Sequence, residues 1–274
     1  MLHTYCEQLH HKRVLYSHPP PPDRGAPHLL VVGGLNDGLN SIPYVPRLEA
    51  LCHAHQVLLT SSYTGFGHSS LAQDVREMAE AVAFVRHTYP HRRLLGLLGH
   101  STGCQIVLCY AKALGSTVDF AVLQAPVSDR EYLASSTPHL PQQIASAESL
   151  DREEFVPAVF SAAFGPGGVT ASRFLSLARP HGADDLFSSD FTDEAMAGAW
   201  AGIELPLLLL YSRWDEYVPS HVDNERLLQR WSKHVTMGPG SGLIDANHAA
   251  SGDAAGALVA ARIAEFLSSL HNIV

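Results

Sequence analysis

Long apolar runs are missing from this chain of 274 residues. The longest, residues 206–211 and 94–98, fall far short of the roughly 18–20 residues a membrane span needs. Cysteine is scarce: Cys6, Cys52, Cys104 and Cys109 form no C-x-x-C pair, so neither a disulfide frame nor a thiol redox motif is expected. Basic charge is also short, with 18 Lys and Arg against 27 Asp and Glu, for a net charge of −9. No basic run exceeds Lys12-Arg13 or Arg92-Arg93, which argues against nucleic acid as a partner. The first residues show no basic segment leading into an apolar one, so no secretory signal is expected and the reading is a soluble, cytoplasmic protein. What is abundant is apolar content, 46%, which excludes a disordered chain. Histidine is also plentiful: 17 residues that titrate near pH 6.5 when they are exposed.

Short β-type runs alternate with longer helical patterns, the signature of parallel strands joined by crossover helices. Strands are expected near residues 13–16, 29–32, 57–60, 94–98, 120–124, 207–210 and 235–237. Helices are expected over 42–54, 70–89, 102–114 and 255–270, the second carrying Leu71, Val75, Met78, Val82 and Val85 at three- and four-residue spacing before Pro90. The proline run 19–22 reads as an extended linker. From 126 to 204 the strand rhythm stops, over an interval too long for an ordinary loop. Residues 1–125 and 205–274 are therefore expected to form one core, interrupted by an inserted helical cap at 126–204.

Gly99-His100-Ser101-Thr102-Gly103 fits G-x-S-x-G once in the chain, between an apolar strand and an apolar helix. A nucleophile on a sharp strand-to-helix turn needs small neighbours two before and two after, and the helix N-terminus supports a developing oxyanion. In the order serine, acid, histidine, Asp215 follows the 207–210 strand and is preferred over the neighbouring Glu216 and the later Asp223. His248, before the closing helix, is favoured as base over His221, His234 and His271. Oxyanion donors are expected from the Thr102 amide and from the loop Gly33-Gly34-Leu35-Asn36-Asp37-Gly38, with Leu35 first and Gly34 or Asn36 as alternatives. That loop lacks the spacing of a dinucleotide fingerprint and the lysine of a phosphate-binding loop. Gly34, Asn36, Tyr63 and His100 are the candidate substrate-binding residues; Trp214 and Tyr217 read as packing more than as substrate contacts. No metal constellation stands out, His10-His11 lacking a third ligand, and no cofactor is expected.

These stretches resemble the fungal siderophore (fusarinine C-type) esterases of the α/β-hydrolase superfamily. The likeness rests on Gly33 to Gly38 with Ile42-Pro43-Tyr44, on Gly99 to Gln105, and on Asp215-Glu216-Tyr217-Val218-Pro219 with Val222-Asp223. Ile106 stands where the family pattern commonly has Asp. The resemblance implies an α/β-hydrolase fold, a mostly parallel sheet with helices on both faces. It also implies a cytosolic esterase in which Ser101, Asp215 and His248 are nucleophile, acid and base, acting on a small-molecule ester such as a hydroxamate siderophore ester. Acyl transfer, lactone chemistry or thioester release, and a non-catalytic ligand-binding role, are the alternative readings.

Overall fold

Alternating inward and outward leucines make the central layer of this protein, seen here in a computed structural model that describes residues 5–8, 14–18, 25–90, 93–164 and 167–270. In chain order the first elements are β1 (Tyr5–Gln8), β2 (Val14–Ser17), β3 (His28–Val32), β4 (His53–Leu58), α1 (Leu71–Thr88), β5 (Leu95–His100), α2 (Gly103–Leu114) and β6 (Phe120–Gln124). Five helices follow before the next strand: α3 (Asp129–Ser136), α4 (Leu140–Glu148), α5 (Ala158–Ser161), α6 (Ala171–Ala178) and α7 (Asp193–Trp200). The chain then returns through β7 (Leu207–Ser212), α8 (Asn224–Trp231), β8 (Gly242–Ile244) and α9 (Asp253–Leu270). The eight strands form one sheet in the order β1-β2-β4-β3-β5-β6-β7-β8. Only the β1/β2 and β2/β4 pairings are antiparallel.

Period 2 sorts each central strand between two cores. Leu30, Val32, Leu97, Leu123, Leu207 and Leu209 face α1, α2 and α8, together with Trp200 and Trp231. Leu29, Val31, Leu98, Val122, Leu208 and Leu210 face the other way, onto α9 and the turn around Val45 and Leu48. Both faces are covered, which is why these strands read as nearly pure leucine. Each fully buried Leu or Val contributes roughly 1.5–3 kcal/mol of transfer free energy. A third, smaller core joins Phe66 to Leu133, Leu140, Phe164, Phe174 and Leu177 of the helices after β6. From Phe187 onward, Phe191, Met196 and Trp200 rejoin the main core instead. Packing therefore divides the stretch between β6 and β7 near residue 180.

Two expected elements come out differently. Residues 42–54 do not form one helix: a 3₁₀ turn spans Val45–Ala50, with a proline in its first turn, and β4 begins at His53. The polar run His53-Ala54-His55-Gln56 hides a strand buried from His53 through Val57, because here imidazoles and an amide pack where Val or Ile would be expected. The last strand is Gly242–Ile244, while the 235–237 run makes one isolated bridge, Met237 to Leu207. The proline run 19–22, the pair His10-His11 and His271 lie outside the described residues.

Candidate active site

Ser101 follows β5 directly and has φ +55, a left-handed backbone that costs an L-residue roughly 1–2 kcal/mol. The turn is pinned by the Ser101 N–H donating to the Gln124 carbonyl at 3.1 Å and the Cys104 N–H donating to the Ser101 carbonyl at 2.9 Å. Glycine is required on both sides. A Cβ at Gly99 would lie 2.4 Å from the Gly103 carbonyl oxygen, and one at Gly103 would lie 2.5 Å from the Val32 carbonyl oxygen. Gly34 is equally constrained, since a Cβ there would stand 2.5 Å from Ser101 Cβ and 2.9 Å from its Oγ. Cys104, buried under the turn, has its thiol pKa pushed well up by that burial and is a packing residue.

Asp215, after β7, and His248, after β8, meet across the sheet end: the imidazole Nδ1–H donates to Asp215 Oδ2 at 2.7 Å. The second carboxylate oxygen accepts the Tyr217 N–H at 2.9 Å. Both candidates that competed with Asp215 have other tasks. Glu216 Oε2 accepts the His248 backbone N–H at 3.0 Å, and Asp223 caps α8 by accepting the Arg226 N–H at 3.0 Å. His221 is exposed, 3.8 Å from a Glu131 oxygen.

Gln124, the last residue of β6, organises this end of the sheet and was not singled out from the sequence. Its Oε1 accepts from Tyr44 OH at 3.1 Å and from His100 Nδ1–H at 2.6 Å. Its Nε2 donates to the His248 carbonyl at 3.1 Å and to Ser212 Oγ at 3.3 Å. His248 is thus held by its ring and by both backbone polar groups. Burial first, and then the field of His248, lowers the His100 pKa to about 4, so His100 is a neutral ring 4.9 Å from that of His248.

Ser101, His248, His100, Gly34, Leu35 and Asn36 all open onto one cavity of about 410 Å³, a size suited to a small ligand. In the loop after β3, the Gly34 N–H is already committed to Asp37 Oδ2 at 2.7 Å. The Asn36 side chain donates to the Phe164 carbonyl at 2.6 Å, tying this loop to the helical segment. Tyr63 stands apart from the lining. Nearly half exposed, it packs over Gly38, and its hydroxyl accepts the Leu39 N–H at 3.1 Å, so it braces the loop. Tyr217 corrects the expectation of packing: it is 40% exposed, lines the cavity, and its ring stands edge-on 4.6 Å from that of His248. Trp214 is 67% exposed and is not a core residue either. Asp129, Tyr132, Leu133 and Phe164 complete the far wall. Burial above all raises the Asp129 carboxyl to about 7, with Asp184 adding to the effect. These wall residues lie in short, weakly periodic helices, where nothing in the local pattern marks them.

Comparison with known proteins places this geometry. The family described as "Protein of unknown function (DUF1749)" matches residues 1–269. The chain belongs to that family. Among named proteins, it is similar to Esterase AN6793 of Emericella nidulans, 30% identical over 84% of this chain and 79% of that protein. It is also 30% identical to Fusarinine C esterase sidJ of Aspergillus fumigatus, over 92% of this chain and 90% of that one. Among solved structures, the siderophore hydrolase EstB from Aspergillus fumigatus superposes with a TM-score of 0.81 at 28% identity, covering 98% of both chains. More distant esterase structures, such as ferulic acid-bound Est1E from Butyrivibrio proteoclasticus (TM-score 0.66, 12% identity), share the fold alone. The fold of this DUF1749 chain is the α/β-hydrolase fold, with a mostly parallel sheet. Among the described residues, no helix is long and apolar enough to cross a membrane.

Proposed function

We propose that this ester hydrolase cleaves carboxylic ester bonds of a small iron-chelating metabolite of the hydroxamate siderophore kind, through an acyl-enzyme on Ser101. The observation that carries the mechanism is the 2.7 Å Asp215–His248 contact opening on the same cavity as a serine with left-handed backbone. Ser101 Oγ attacks the acyl carbon while His248 Nε2 takes its proton; the same proton then goes to the leaving alkoxide, which departs as the alcohol. Asp215 holds the imidazole in the tautomer that leaves Nε2 free and stabilises the imidazolium. The Leu35 and Thr102 amides receive the oxyanion; neither has an acceptor among the described residues, whereas that of Gly34 has one. Water, activated by His248, resolves the acyl-enzyme.

The substrate class is supported by the relatives' names, Fusarinine C esterase and siderophore hydrolase. We read residues 126–204 as the inserted segment and its part up to about residue 180 as the cap, supported by the separate small core there and by the wall that Asp129, Tyr132, Leu133 and Phe164 build opposite Ser101. The cytosol is the proposed compartment, supported by free Cys52, Cys104 and Cys109. Replacing Ser101 by Ala is expected to lower kcat on an aryl ester by about 10⁴–10⁶-fold and to abolish labelling by a fluorophosphonate. Wild-type turnover in that variant overturns the mechanism. A wild-type enzyme that cleaves aryl esters but leaves a hydroxamate triester intact overturns the substrate class and not the mechanism.

A further inference from the structure

The opposite end of the same sheet gathers a second set of histidines. His28 opens β3, His53 opens β4 and His55 lies two residues further along β4, with His28 and His53 directly paired across the parallel strands. From His28 to Val32, at the active-site end of β3, is about 13 Å of strand. All three rings are buried, and one nitrogen from each lies within 4.8 Å of the others. The linear sequence did not suggest this constellation, because His28 is brought to His53 and His55 only by strand pairing.

From these residues we infer a binding site for a borderline divalent cation of the zinc or copper class, held by the imidazoles of His28, His53 and His55. The first argument is spacing. Two nitrogens bound to one zinc at about 2.0–2.1 Å stand about 3.3 Å apart in tetrahedral geometry. His28 Nδ1 and His55 Nε2 are 3.0 Å apart. The second argument is the outer contacts. A metal-ligating histidine characteristically uses its other nitrogen to hold a hydroxyl, carbonyl or carboxylate, which orients the ring. His55 Nδ1 is 2.8 Å from Ser17 Oγ, which orients that ring.

The third argument is the chemistry of the donors. The donor set is all nitrogen, which selects zinc, copper or nickel over magnesium or calcium. Arg86 and Arg93 add positive field at this end. Tyr89, whose ring lies 4.4 Å from that of His28, covers the cluster.

The test uses the full chain stripped with a chelator, then titrated with ZnCl₂ and, separately, with CuCl₂. One saturable equivalent is expected, with pulsed electron paramagnetic resonance of the copper form showing three coupled imidazoles. His53→Gln is expected to weaken binding by at least 100-fold. Ser17→Ala, which only releases the His55 ring, is expected to weaken it 10–100-fold while the protein stays folded. Esterase kcat is expected to remain within twofold on loading, since the two ends of the sheet are separate. Binding no tighter than millimolar, fewer than two coupled imidazoles, or binding that survives His53→Gln but is lost in His10→Gln/His11→Gln, overturns the site.

Discussion

Two ends of one sheet each collect buried histidines, and the atoms facing them separate their chemistry. At the carboxyl ends of the strands, His248 meets a carboxylate and His100 meets the Gln124 amide oxygen. His248 is held there through its ring and through both backbone polar groups, as proton transfer demands. At the amino ends, His28 and His55 face each other, and one nitrogen of His28 has no partner among the described residues. A ring wired to a carboxylate is a base. Rings that face one another are donors waiting for a shared acceptor.

The comparison breaks first at Asp215. With Asp215→Asn the imidazole loses its anionic partner and settles in the wrong tautomer, so kcat is expected to fall about 10³–10⁴-fold with little change in KM. Steady-state kinetics on an aryl ester measure it, and a drop below tenfold would mean that the carboxylate is not what distinguishes this end. A smaller effect is expected at Gln124→Leu. It strips partners from Tyr44 OH, His100 Nδ1 and the His248 carbonyl together, at a cost of about 2–4 kcal/mol in urea unfolding. Retained stability would show that this amide is a bystander.

The mildest effect is electrostatic. Asp129, raised to about 7 chiefly by burial, keeps its proton in the folded chain where the unfolded chain has already lost it. Its contribution to wild-type stability should therefore decline as pH rises from about 4 to about 7, while His28 and His100, lowered to about 4 chiefly by burial, add an opposite slope in both proteins. Asp129→Asn has no such proton to lose, so relative to wild type it should gain stability across this range, reaching an advantage of about 1–2 kcal/mol at pH 8. Asp74, raised to about 6 mainly by burial, keeps part of the slope in both proteins. Parallel unfolding curves for the two proteins across that range would remove Asp129 from this account.

Legibility in the sequence follows how local the cause is. The turn around Ser101 can be read from five residues, because the collision that demands Gly99 arises within it, against the Gly103 carbonyl, although Gly103 itself is held to glycine by the Val32 carbonyl outside it. Asp215 and His248 can be read from chain order, since each follows a strand of the sheet. Residues 120–124 and 71–88 were legible because a short apolar run and three-four spacing each carry their own signal. Of β4 only the end was, within the strand expected at 57–60, because His53, His55 and Gln56 are polar letters whose burial depends on partners 25 and more positions away. Gln124 looked like the end of a strand; its four hydrogen bonds reach positions 44, 100, 212 and 248. The cavity wall from α3 and Phe164 stayed hidden for a related reason. Those segments take their shape from one another and from Phe66, with little periodicity of their own.

The handedness of the backbone at Ser101 has a consequence for any attempt to harden this enzyme. Glycine is the residue most at ease at φ +55, so exchanging the serine for glycine should relieve up to about 1 kcal/mol while deleting the hydroxyl. A library screened for thermal endurance alone would drift toward that sturdier, silent protein, and only a screen that rewards turnover would hold the serine in place.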